Sequence, residues 1–80
     1  MSLTEMSLTE VQDIYGKLLK RYKEFGYLHP EDALNHDIRL LEAKGKIAGE
    51  AILRMYKGTN DKTIELIEQY MAARARARNL

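Results

Sequence analysis

From Leu34 to Met55 the apolar and small residues fall at spacings of four, three, four, three, four and three: Leu34, Ile38, Leu41, Gly45, Ala48, Ile52, Met55. A series of that period lines one side of a helix. The other side reads Glu31, Asn35, Arg39, Glu42, Lys46, Glu50, Arg54, Lys57, and Glu42–Lys46 and Glu50–Arg54 are i,i+4 pairs in the favourable order. A break at Lys44-Gly45-Lys46 would throw both registers out of phase. The pattern therefore predicts one continuous helix over 30–57. It opens at His29-Pro30-Glu31-Asp32, where proline suits the first helical position and two carboxylates complement the positive end of the dipole. Gly58 closes it.

Two shorter helices flank the long one. Leu8, Val11, Tyr15, Leu18, Tyr22 and Phe25 recur at threes and fours, which predicts a first helix over 8–25. A capping box, Ser7-x-x-Glu10, opens it and Gly26 ends it. Thr59 or Asn60 caps a third helix over 61–77, with Ile64, Ile67 and Met71 in one row and Leu66, Tyr70, Ala73 and Ala77 in the next. The chain opens on a tandem Met-Ser-Leu-Thr-Glu repeat, too short to be a structural one. Residues 1–6 read as disordered or as an appended or duplicated start, ahead of a single helical domain over 7–78. The expected fold is all-α: a three-helix, bundle-like domain with a long central helix, assembled as a dimer.

With 80 residues the core is marginal, and with no cysteine neither a disulfide nor a thiolate metal site can staple it. No apolar run nears the roughly 18 residues of a membrane span, and no basic segment precedes an apolar stretch at the start. A cytoplasmic protein without a membrane partner is expected. The net charge of +1 is unevenly spread: Arg74, Arg76 and Arg78 make the last ten residues basic, which leaves ten basic against twelve acidic residues before them.

No catalytic motif stands out. No glycine-rich phosphate loop precedes Lys-Ser or Lys-Thr, and cysteine catalysis is excluded. Neither an enzyme nor a cofactor is expected. The segment from His29 to Asp37 gathers two imidazoles and three carboxylates, and Asp32 and His36 share a helix face. Coordination needs further ligands, and Glu31 and Asp37 point elsewhere, so no metal site is expected. Tyr15, Tyr22, Tyr56 and Tyr70 lie on or beside apolar stripes, as core-rim residues would. Arg74, Arg76 and Arg78 are candidate polyanion contacts. On a helix, however, Arg76 points nearly opposite to the other two, so no continuous basic stripe forms.

The middle of the central helix is small-sided, with Ala43, Gly45, Ala48, Gly49 and Ala51 close together. Either a second copy of the helix approaches there, or bulky side chains of the same chain fill the space. Leu40, Ile47 and Ala51 add a second apolar edge. The candidate interface is thus Leu40, Gly45, Ile47, Ala48, Gly49, Ala51 and Ile52. The function these features suggest is a non-catalytic helical protein-interaction or oligomerisation module, working as a homodimer. The alternative is a small nucleic-acid-binding protein using the arginine tail.

Overall fold

The computed structural model describes residues 3–78, with side chains from Leu8 onward. Among these residues all regular structure is helical, in four helices: α1 (Leu3–Glu24), α2 (Pro30–Lys44), α3 (Lys46–Lys57) and α4 (Asp61–Arg78). Two expectations are corrected at the start of α1. The helix is already formed at Leu3, so residue 7 lies within it and the Ser7-x-x-Glu10 box cannot be its cap; the Ser7 side chain lies outside the described residues. Of the six residues read as disordered or as an appended start, residues 3–6 are helical, and Met1 and Ser2 lie outside the described residues.

The ends of the other helices obey local chemistry. Gly26, at φ +89°, closes the turn after α1, where its N–H reaches the Lys23 carbonyl. Pro30 begins α2 with Glu31 and Asp32 behind it. Gly58 ends α3 in the left-handed conformation. The Asn60 side-chain oxygen accepts the Thr63 N–H at 2.8 Å and so caps α4.

The largest correction is to the long central helix. Residues 30–57 are two helices joined by one residue, Gly45, at φ +85° and ψ +170°. That backbone conformation is essentially closed to residues with a Cβ. α3 folds back along α2: Gly49 packs on Leu41, and Lys57 reaches Asp37. Gly49 makes the return possible, because a Cβ there would sit 2.6 Å from Leu41 Cδ2 and 3.1 Å from its Cα. The three-helix arrangement becomes four helices, and the small residues at Gly45 and Gly49 serve a bend within one chain.

α1 and α4 run antiparallel. Glu10 pairs with Arg76, the Tyr15 and Tyr70 rings lie 5.5 Å apart, and Arg21 donates to Thr63. Between α1, α4 and the α2–α3 hairpin lies the core: Leu18 and Tyr22 from α1, Leu34, Ile38 and Leu41 from α2, Leu53 from α3, and Ile64, Ile67, Tyr70 and Ala73 from α4. α3 gives this core only one large side chain.

Candidate interaction surface

That small contribution sets α3 apart. The turn at Gly45 throws the apolar register out of phase with α2, and the apolar residues beyond it, Leu53 apart, are displaced outward. Ile47 is 87% exposed, Met55 78% and Tyr56 82%; Ala48 is exposed, and Ala51 and Ile52 are half-buried. With about 3.6 residues per turn, Ile47, Ala51 and Met55 form one row and Ala48, Ile52 and Tyr56 the row beside it. These two rows cover the outside of the helix.

Its charges lie off those rows, with Lys46 and Arg54 still partly in water. α3 carries four, and each has a partner within the chain. Lys46 lies 3.7 Å from Glu68, and Glu50 lies 3.7 Å from Arg54. The Arg54 Nε also donates to Asp61 at 2.8 Å. Lys57 Nζ donates to Asp37 Oδ1 at 2.6 Å. α3 is an amphipathic helix mounted inside out, with its ionic side tied to the body and its apolar side facing water.

The tie at its C-terminal end is the strongest. Asp37 is fully buried, whereas the sequence pattern indicated only that it points away from the Asp32–His36 face. Tyr22, 1% exposed, donates its hydroxyl to Asp37 Oδ2 at 2.5 Å, while Lys57 holds Oδ1. α1, α2 and α3 are thereby joined through one carboxylate. Burial pushes the Tyr22 hydroxyl well above the usual tyrosine range, and its hydrogen bond to the Asp37 carboxylate pushes it further. A signal did exist for Asp37: it precedes Ile38 and lies three residues after Leu34, on the edge of the α2 stripe.

Of the seven candidate interface residues, Ile47, Ala48, Ala51 and Ile52 come together on the outer face of α3. The others do not join them. Leu40 packs half-buried against the core, Gly49 is buried under Leu41, and Gly45 forms the joint. Met55 and Tyr56 were missed, Met55 because the unbroken stripe assigned it to the core. Reading residues 46–57 as a helix of their own would have shown both rows.

The arginine tail is helical through Arg78. Arg74 donates to Glu42 at 2.9 Å and its guanidinium lies over the Tyr70 ring; Arg76 donates to Glu10. Two of the three cations are thus held by carboxylates of the same chain, and Arg78 is exposed. His36 does not turn to a metal-like cluster, since its Nδ1 lies 3.3 Å from the Lys57 ammonium, where a second cation would be repelled. Among the described residues no three His, Cys, Asp or Glu side chains are grouped to hold a metal ion, and no helix is long and apolar enough to cross a membrane. Compared with known protein families, with curated proteins and with solved structures, the chain matches none. What it does has to be read from its own surface.

Proposed function

We propose that this chain is a non-catalytic helical interaction module that works through the outer face of α3. One observation carries the reading: all four α3 charges are spent on partners inside the chain while Ile47, Met55 and Tyr56 stand in water. Single exposed apolar residues are ordinary, but a contiguous apolar helix face is the usual mark of a docking surface. The structural reason is also on hand. Folding α3 this way forgoes the burial of several large side chains, each worth about 1.5–3 kcal/mol when fully removed from water. Docking recovers it.

A photoreactive amino acid at Ala51, in the chain expressed in living cells, tests the reading. The expected result is a cross-linked product of one discrete mass, absent when the same group stands at Arg39 or Lys62 on exposed polar faces. Equal or absent cross-linking at all three positions would overturn it.

A further inference from the structure

We infer that Gly45 is the hinge of a domain exchange: two copies of this chain trade everything after Gly45, and α2 and α3 of each then run as one continuous helix. The joint is built like a helix interior. The Gly45 N–H already reaches the Leu41 carbonyl, and the Gly49 N–H the Gly45 carbonyl, each at 2.9 Å. Straightening the chain adds only the three bonds between them, from the N–H groups of Lys46, Ile47 and Ala48 to the carbonyls of Glu42, Ala43 and Lys44. As a helix start the same stretch is poor. α3 has no side-chain cap and no acidic residue in its first turn, and Lys46 sets a cation at the positive end of its dipole. α2, by contrast, opens on Glu31 and Asp32, and Asn60 caps α4. Local chemistry thus favours a straight joint, while the packing of the lone chain imposes a bend on it.

A straightened chain alone would lose that packing, whereas an exchanged pair keeps it. Gly49 on Leu41, Lys57 with Asp37, Arg74 with Glu42, Arg76 with Glu10 and Tyr70 against Tyr15 each join a residue after Gly45 to one before it. A second copy can supply either half, so each contact is remade between chains. The symmetry also fits. Leu41 and Gly49 lie four residues to either side of Gly45. In two antiparallel continuous helices with a two-fold axis at Gly45, Leu41 of each copy therefore meets Gly49 of the other. No side chain stands on the axis, because both residues there are Gly45. The lone chain wins in dilute solution, where a covalent link holds its two halves together, and the pair gains as concentration rises. A one-residue hinge in a conformation open only to glycine is the kind of joint that exchange relieves.

Refolding tests this on the full chain, in salt that screens Lys44 and Lys46 near the axis. From denaturant at about 10 μM the product should be 9.3 kDa, and at about 1 mM a share of it should have twice that mass. Once formed, the pair should persist after dilution, since separation requires α1 and α4 to come apart. Gly45→Ala opposes the bend and favours the helix, so it should raise the association constant about tenfold or more. Inserting Gly-Ser-Gly after Gly45 should abolish pairing, and Gly16→Ala should leave it unchanged. With no native cysteine, Glu10→Cys with Arg76→Cys and a short bismaleimide reads which chain supplies each half. Applied to the diluted pair, the reagent should join the two chains covalently; applied to the lone chain, it should link within one. A pair whose link stays within one chain is an ordinary side-by-side dimer and would overturn the inference. So would a Gly45→Ala variant that remains single, or that unfolds without pairing, at about 1 mM.

Discussion

Asp37 shows how much one side chain can decide. A buried carboxylate is tolerable only when its oxygens are met, and here a phenol meets one and an ammonium the other. Lys57→Met would leave that carboxylate short of its charge partner. The expected loss is about 2–3 kcal/mol, below the roughly 3–5 for fully buried pairs because Lys57 keeps part of its side chain in water; chemical denaturation measures it. Tyr22 adds a pH dependence whose sign is set by its raised folded pKa. The unfolded chain releases the tyrosine proton near about pH 10 while the folded chain retains it. The unfolded state then binds fewer protons, so stability is complete below about pH 10 and falls as pH rises above it. Tyr22→Phe should flatten much of that alkaline decline in melting curves taken from pH 8 to pH 11. At neutral pH it should cost about 1–3 kcal/mol for the lost charge-assisted bond.

At the scale of the helices, glycines of one composition do opposite work. Gly16 sits in α1 with open space where a Cβ would go, so Gly16→Ala should stabilise by about 0.5–1 kcal/mol. Gly45 sits in backbone territory closed to other residues, and Gly45→Ala should destabilise by about 1–3 kcal/mol. Thermal melts of the two variants should shift in opposite directions. This pair also marks where the sequence was readable. Leu18, Tyr22, Leu34, Ile38, Leu41, Ile64 and Ile67 all lie in the core, because 3.6-residue periodicity within a helix reports which side is buried. Periodicity cannot report that a helix stops when the stopping residue is glycine, since glycine fits the stripe as a small residue and the bend as a backbone hinge. The contact that settles the choice, Gly49 against Leu41, exists only after the chain has turned. Four of the six residues on the outer face of α3 were legible for the same reason: Ile47, Ala48, Ala51 and Ile52 are apolar in any register. The outward placement of Met55 and Tyr56 depends on the bend.

Over the whole molecule, 41 × 25 × 19 Å, α4 is tied to α1 and α2 by ion pairs that cost little to lose. Glu10–Arg76 and Glu42–Arg74 are surface pairs, each worth about 0–1 kcal/mol. Replacing Arg74, Arg76 and Arg78 together by Gln should lower the melting temperature by less than about 10 °C, since a domain of this size shifts about 4–8 °C per kcal/mol. The helicity of α4 should survive, as circular dichroism would report. The inside-out mounting of α3 has a different kind of consequence, one for selection. Changes that make this protein easier to produce and keep in solution will gather on Ile47, Met55 and Tyr56, since those residues cost solubility and contribute little to the fold of a lone chain. A screen for yield would thus erase the apolar outer face of α3 first, and natural sequences that keep it apolar would be under pressure from something that covers it.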